Sequence, residues 1–260
     1  MRSGIEATRL RLGDAEVTRI GLGTNRLTNT PEHVAFIGEA VAAGVNHIDT
    51  AYTYAGGESE RTIGAALSPR RGGVVVATKG GYAPGAGRPD VLAGQLDESL
   101  RRLRTDAIDL YYLHRVHPDT PFEESVGALR EARDAGKIRH VGLSQVGIEQ
   151  IELARTIVPI TAVQNHYNLS ERGWEGVVDH CAREGVVFVP YFPLKDDVRG
   201  SVDEIARSHG ATPAQIRLAW LLRRSPMTLP IPGSLSVEHV RQNLAALDVE
   251  LTDAEFETLS

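Results

Sequence analysis

The feature that most constrains this chain is a series of short apolar runs that end abruptly in reactive side chains. One run leads to Asp49 and Tyr54, the next ends at Lys79, and a third ends at His114. If these runs are parallel strands, they deliver their last side chains to one rim, and in a parallel barrel that rim carries the chemistry. A carboxylate, a phenol, an amine and an imidazole gathered there predict a site that donates a proton to a carbonyl.

Apolar, β-branched runs recur along the whole chain and alternate with segments of helical spacing. They cover residues 17–22, 45–48, 74–77, 108–113, 138–143, 160–163, 186–191 and 227–231. This alternation favours βαβ units and a parallel sheet, and eight units close into a (β/α)8 TIM barrel. A doubly wound open sheet is the competing topology. Its dinucleotide fingerprint is missing, because Gly21-Leu22-Gly23 lacks the third glycine and a loop follows.

Helix signals agree with this alternation. Thr30 and Pro31 predict an N-cap and a first helical residue, residues 89–103 place leucines on one face, and Gly136 predicts the end of the helix before it. Residues 252–260 predict a short last helix that opens with a capping box.

Outside this repeat, residues 8–19 predict a β-hairpin that turns at Gly13-Asp14 and closes the barrel floor. The 260 residues are 42% hydrophobic and contain no linker-like segment. They are predicted to form a single domain over residues 1–260.

Composition argues against several classes of protein. The net charge of −6 is unfavourable for nucleic-acid binding, and a lone Cys181 suits a reducing compartment. No apolar run reaches the roughly 18 residues of a membrane helix, and residues 1–6 lack the apolar core of a signal peptide. We expect a cytoplasmic protein without a metal site, a nucleic-acid partner, a membrane partner or an evident protein partner.

Each of the four side chains would have a role in the reduction of a carbonyl. No side chain donates hydride, so a nicotinamide or flavin must supply it. Tyr54 is the natural proton donor, but a free phenol titrates near about 10, and the Lys79 ammonium is expected to lower that pKa. Asp49 would hold and charge Lys79, and His114 would orient the carbonyl oxygen through a hydrogen bond.

Six ordered motifs over nearly the whole chain resemble the aldo-keto reductase family. They are Asp49-Thr50-Ala51-x-x-Tyr54, Thr78-Lys79, residues 109–114, Gly142-Leu143-Ser144, Val163-Gln164-Asn165 and Ile231-Pro232-Gly233-Ser234. The resemblance implies a (β/α)8 barrel that binds a nicotinamide dinucleotide, usually NADPH, without a Rossmann fold. It also implies that Asp49, Tyr54, Lys79 and His114 form the catalytic tetrad.

The same resemblance implies a set of cofactor contacts. Ser144 and Gln164 would hold the carboxamide, and Tyr191 would stack on the nicotinamide. The remaining contacts would be Gly23 and Thr24 from the first loop, Gln145 beside Ser144, Leu194 at the pyrophosphate, and Ser234, Leu235, His239 and Asn243 around the adenosine.

Several positions depart from the family pattern. Gln145 replaces an asparagine, while Gly233 and His239 replace the lysine and arginine that hold the adenosine 2′-phosphate. NADPH is therefore expected by resemblance, with NADH possible. Asp197 and its neighbour Asp196 bring negative charge near the pyrophosphate, and this requires an offsetting cation such as Lys195 or Arg199.

The leading function is an NAD(P)H-dependent reductase of a small-molecule aldehyde or ketone, with an open pocket that suits a bulky or polar substrate. One alternative is a cofactor-binding regulatory protein of the potassium-channel β-subunit type, with little turnover. Another is a barrel hydrolase that uses a metal, or an aldolase in which Lys79 forms a Schiff base.

Overall fold

The computed structural model describes residues 8–69 and 72–260. Residues 1–6, where the sequence predicts no signal peptide, lie outside this part. The strands are β1 (Arg9–Leu12), β2 (Ala15–Thr18), β3 (Leu22–Gly23), β4 (His47–Asp49), β5 (Val75–Gly80), β6 (Ile108–Leu113), β7 (Ile138–Ser144), β8 (Ile160–Gln164) and β9 (Val187–Phe188).

Helices follow most of the strands. They are α1 (Pro31–Ala42), α2 (Glu58–Leu67), α3 (Pro89–Leu103), α4 (Phe122–Asp134), α5 (Ile148–Arg155), α6 (Glu175–Glu184), α7 (Ser201–His209), α8 (Pro213–Arg224), α9 (Val237–Leu244) and α10 (Asp253–Leu259). Two 3₁₀ turns cover Tyr54–Gly57 and Ala245–Asp248. No helix of the described ranges combines the length and apolar character that a membrane crossing needs.

Strands β3 to β9 form one parallel sheet in which neighbours in sequence are neighbours in space. This order is the one that successive right-handed βαβ units produce, and it curls the sheet. The parallel α/β architecture expected from the alternation is therefore confirmed.

Three of the predicted strands are wrong in detail. Of residues 186–191, only Val187–Phe188 form a strand, β9. Residues 17–22 divide between β2 and β3, so the first strand of the parallel sheet is only two residues long. Residues 227–231 form a single isolated bridge instead of a ladder, between Thr228 and Phe188, and Gly233 just beyond them bridges Gly23. Prolines at 230 and 232 have no N–H to donate, which prevents a continuous ladder there.

The hairpin β1–β2 packs against side chains from the inner face of the parallel sheet. Its antiparallel register pairs Leu10 with Val17 and Leu12 with Ala15. Leu10, Leu12 and Val17 share one buried cluster with alternate residues of the strands, namely Val75, Ala77, Leu110, Tyr112, Ala162 and Val187. A larger cluster fills the space between the strands and the surrounding helices. The alternation of faces along each strand produces these two layers.

The helix signals read from the sequence are confirmed. The Thr30 hydroxyl accepts a hydrogen bond from the backbone N–H of His33, and α1 begins at Pro31 as predicted. Helix α3 has the predicted bounds, and Thr252 forms a capping box with Glu255 at the start of α10.

Candidate active site

Four predicted side chains converge at the carboxyl edge of neighbouring strands. Asp49 ends β4, Lys79 lies next to the last residue of β5, and His114 follows β6 directly. Tyr54 opens the 3₁₀ turn after β4. Because parallel strands end at one edge, residues that are 30 or more positions apart in sequence become neighbours.

Lys79 and Asp49 form a fully buried ion pair. The Lys79 Nζ donates to Asp49 Oδ1 at 2.5 Å and to the carbonyl of Thr50 at 2.7 Å. Gln164 Nε2 donates to the other carboxylate oxygen, Asp49 Oδ2, at 2.8 Å. Burial disfavours the charged amine, but the neighbouring Asp49 and Tyr54 outweigh it and raise the pKa of Lys79. The amine is therefore held as an ammonium ion.

Tyr54 lies against this ammonium. Lys79 Nζ is 5.1 Å from the centre of the Tyr54 ring. Burial is the largest influence and raises the pKa of Tyr54 above its usual value, while the charge of Lys79 lowers it. Lys79 lowers the pKa of Tyr54, as the sequence led us to expect. The net shift of this pKa is nevertheless upward, so the expected net direction is wrong, because desolvation of the phenolate has a larger effect than the charge of Lys79.

His114 is neutral at physiological pH. Burial, followed by the charges of Lys79 and Arg115, lowers the pKa of His114 to about 2. The imidazole ring packs edge-on to Tyr54 at 6.1 Å and against Tyr82 at 4.8 Å between ring centres. A neutral imidazole carries one N–H, so it can donate a hydrogen bond without acting as the acid.

A cavity of about 930 Å³ opens at this edge of the sheet. It is bordered by nine of the predicted site residues: Gly23, Thr24, Asp49, Tyr54, His114, Ser144, Gln164, Tyr191 and Leu194. Lys79 lies behind Tyr54 and Asp49 with no exposed surface. The catalytic candidates and the predicted nicotinamide contacts therefore lie around one space.

Gln145 is not brought into this cavity. Its backbone has a positive φ of 57°, and its side-chain oxygen accepts the backbone N–H of His166 at 2.8 Å. The extra methylene that glutamine has over asparagine lets the amide reach this neighbouring strand end. Gln145 therefore does not border the cavity in this structure, and its contact with the carboxamide stays a prediction.

The predicted adenosine residues lie beside the cavity and do not border it. Ser234 is buried, and its hydroxyl accepts the backbone N–H of Ser236 at 3.0 Å. Ser236 caps α9, which begins at Val237. Asn243 is buried in α9, whereas Leu235 and His239 are exposed.

Of the two acidic residues expected near the pyrophosphate, Asp196 has an unexpected cationic partner. Asp196 is turned inward, and both of its oxygens accept from Arg217 Nε at 2.8 and 2.9 Å. Lys195 instead lies 4.9 Å over the ring of Phe192. The sequence could not identify Arg217, because it lies on α8, 21 residues away.

Sequence reasoning also missed several cavity residues, among them Arg26, Tyr82, Arg115 and Phe192. Arg26, Tyr82 and Phe192 lie in loops without a periodic pattern. Arg115 had a signal, since it directly follows His114. Within the described residues no cluster of histidine, cysteine and acidic side chains could hold a metal ion.

The fold and the site together define a class: a parallel α/β oxidoreductase whose strand ends bring Asp, Tyr, Lys and His to one cavity. The Aldo/keto reductase family profile matches residues 19–200 and 194–260. The chain therefore belongs to this family, which confirms the resemblance read from its motifs. Membership makes it an NAD(P)H-dependent oxidoreductase.

Individual relatives agree with this assignment over nearly their full lengths. Pyridoxine 4-dehydrogenase of Escherichia coli is 36% identical over 95% of this chain and 96% of its own. A thermostable aldo-keto reductase solved with the inhibitor epalrestat is 35% identical, with a TM-score of 0.89 over 96% of this chain and 98% of that one. An aldo/keto reductase of Klebsiella pneumoniae, solved with NADP and acetate, is 32% identical with a TM-score of 0.87, covering 97% and 94%. These relatives do not favour the regulatory alternative.

Proposed function

We propose that this protein reduces an aldehyde or ketone to an alcohol, with NADPH as the hydride donor and Tyr54 as the proton donor. The observation that carries the proposal is the contact of Tyr54 with the buried Lys79–Asp49 pair at the wall of the cavity. That arrangement provides a protonated phenol beside a fixed positive charge, which is what a developing alkoxide requires.

The residues around the cavity fit a nicotinamide dinucleotide. Tyr191 borders the cavity and is held in plane by His166, whose ring stacks on it at 5.2 Å. Ser144 and Gln164 supply polar groups for a carboxamide. At Gly23 a Cβ would lie 2.7 Å from the carbonyl oxygen of Ile231, so only glycine permits this close approach to the cavity wall. The bound nicotinamide would supply hydride to the carbonyl carbon.

The electrostatics of Tyr54 and Lys79 explain how the proton is held and then released. Burial keeps the phenol protonated, so it holds the proton that the carbonyl oxygen needs. When Tyr54 releases this proton, the ammonium of Lys79 stabilises the phenolate, and Asp49 keeps Lys79 charged. The neutral His114 donates a hydrogen bond to the same carbonyl oxygen and orients it.

The preference for NADPH over NADH rests on the family resemblance and on NADP in the Klebsiella pneumoniae relative. His239 lies exposed at the first turn of α9, where it can approach an adenosine phosphate. The named substrate of the Escherichia coli relative, an alcohol of a pyridine ring, suggests aromatic aldehydes as first candidates.

Three further expectations remain proposals. The hairpin β1–β2 closes the floor of the barrel, supported by the burial of Leu10, Leu12 and Val17 against the inner strand faces. Residues 1–260 form a single domain, and the protein is cytoplasmic, in keeping with one buried free cysteine at 181.

Label transfer tests the proposed activity. The protein is titrated with NADPH and NADH by fluorescence, and the better cofactor, deuterated at the transferable position of C4, is offered with a panel of aldehydes and ketones. We expect an alcohol that carries one deuterium on the former carbonyl carbon. Tight cofactor binding without a labelled alcohol from any panel member would contradict the activity.

A further inference from the structure

Arg115 is a cation at the cavity wall whose hydrogen bonds go only to neutral groups. Its Nη1 donates to the carbonyl of His114 at 3.0 Å and to the Ser144 hydroxyl at 3.3 Å. Its guanidinium carbon lies 5.8 Å from the centre of the Tyr82 ring. The side chain is half-buried and borders the cavity.

Several other partly buried arginines of the described residues have acidic partners, whereas Arg19 donates to the backbone carbonyls of Leu222 and Ser225. Arg102 binds Glu60 and Glu98, Arg217 binds Asp196, and Arg224 binds Glu175. In the part of the chain that the structure describes, no carboxylate lies within ion-pair distance of Arg115. Removing a guanidinium partly from water without an anion is costly, and an anionic ligand would offset that cost.

The position of Arg115 separates it from the cations on the other side of the cavity. Arg26 lies next to Gly233 and Lys195 lies over Phe192, on the side where the dinucleotide phosphates are proposed to bind. Arg115 lies on the side of Tyr82 and His114, where the carbonyl substrate is proposed to bind. The positive charge of Arg115 lowers the pKa of both His114 and Tyr54.

We propose that Arg115 binds a carboxylate of the substrate, so that the preferred substrates are aldehydes or ketones that carry a carboxylate group. This inference rests on the proposed function. The planar guanidinium has further N–H donors beyond the two bonds of Nη1, and its fork matches the two oxygens of a carboxylate. Of the described lining residues, Asp49 is the only carboxylate, and Lys79 neutralises it, so the cavity does not repel such a substrate.

A structural role for Arg115 gives a different expectation. If its bond to Ser144 only fixes the loop after β6, removal of the guanidinium would weaken the reduction of charged and neutral aldehydes alike. A substrate-binding role changes the ratio between the two. This ratio is independent of how much active protein each preparation contains.

The experiment compares 3- and 4-carboxybenzaldehyde with their methyl esters, which have the same ring and aldehyde but no charge. In the wild-type holoenzyme we expect kcat/KM for at least one acid to exceed that of its ester by about tenfold or more, mainly through KM. This advantage should fall as salt is added. Arg115→Gln should remove it, whereas Arg9→Gln in the hairpin and Arg26→Gln across the cavity should keep it.

Binding provides a second readout. The Kd of benzoate, measured by calorimetry with NADP bound, should be at least about tenfold lower for the wild type than for Arg115→Gln, with benzamide showing no such difference. Equal rates for acids and esters in the wild type, or an advantage that survives in Arg115→Gln, would overturn the proposal while leaving carbonyl reduction intact. Failure to reduce any of these aldehydes or the wider panel would instead contradict the proposed function.

Discussion

Burial sets the charge state of the histidine side chains inside this sheet. His47 on β4 has no exposed surface, and desolvation lowers its pKa to about 4 despite the opposing charges of Asp49 and Asp109, while Lys79 adds to the lowering. His114 is lowered further, to about 2. Both rings therefore stay neutral at physiological pH, which at His114 leaves the proton transfer to Tyr54.

The neutral state of His47 makes folding sensitive to acid. The ordinary pKa of 6.5 returns on unfolding, so the unfolded chain binds more protons than the folded chain between pH 6.5 and 4. The stability contributed by neutral His47 is present above pH 6.5 and is lost as the pH falls through 4. Between pH 7 and 5 the loss is about 2 kcal/mol.

Urea unfolding at pH 7 and pH 5 measures this loss. The variant His47→Gln cannot titrate and should lose about 2 kcal/mol less than the wild type over this interval. His239→Gln, which changes an exposed histidine, should behave like the wild type. An identical pH dependence for His47→Gln and the wild type would contradict the role of His47.

At the scale of elements, the turn that carries Tyr54 is held from outside by α3. Residues Ala55, Gly56 and Gly57 all have positive φ, at 48°, 63° and 89°. Arg102 of α3 donates to the carbonyl of Tyr52 at 2.9 Å, and its guanidinium lies 4.5 Å over the Tyr52 ring. Glu60, also buried, accepts from the same Nη1 at 3.1 Å. Arg102 thus positions the backbone that presents Tyr54.

Substitutions at two glycines of this turn distinguish the effect of the contact with Arg102 from the effect of backbone strain. At Gly57 a Cβ would lie 2.3 Å from Arg102 Nη1, whereas at Gly56 it would meet nothing within 4 Å. Gly57→Ala should therefore displace Arg102 and lower kcat about tenfold or more. Gly56→Ala carries only the strain of a positive φ, about 1–2 kcal/mol of unfolding free energy, and should affect kcat less. Equal kcat values for the two variants would contradict the positioning role.

The sequence predicts these elements best where the signal is local. A cap and a proline gave the start of α1, the spacing of leucines gave the bounds of α3, and the ends of β4, β5 and β6 gave the four catalytic candidates. Local signals fail at β3, β9 and residues 227–231, because their pairing depends on how the sheet curls and on prolines that interrupt the ladder.

The site, too, could be predicted only where the signal in the sequence is local. Ser144, Gln164 and Tyr191 were predicted as site residues from the sequence, and all three border the cavity, since each lies at or just after a strand end. The motifs could not show that Gln145 turns toward His166, or that Arg217 neutralises Asp196. Those contacts depend on side-chain length and on helices that are distant in sequence.

At the scale of the whole molecule, charge is distributed unevenly. The chain has a net charge of −6, yet the described walls of the cavity carry Arg26, Arg115 and Lys195. Concave sites of one sign concentrate ligands of the opposite sign. An anionic dinucleotide and, as proposed, an anionic substrate would both be attracted to this cavity.

The proposed carbonyl reduction depends most on Tyr54 as the proton donor. The decisive measurement is kcat for reduction of the best aldehyde by Tyr54→Phe, together with the Kd for NADPH, with Tyr82→Phe as a variant that removes another phenol hydroxyl from the same cavity. We predict that Tyr54→Phe loses roughly a hundredfold or more in kcat while its Kd for NADPH stays close to the wild-type value, and that Tyr82→Phe loses far less. A Tyr54→Phe protein that retains more than about a tenth of wild-type kcat would contradict the account.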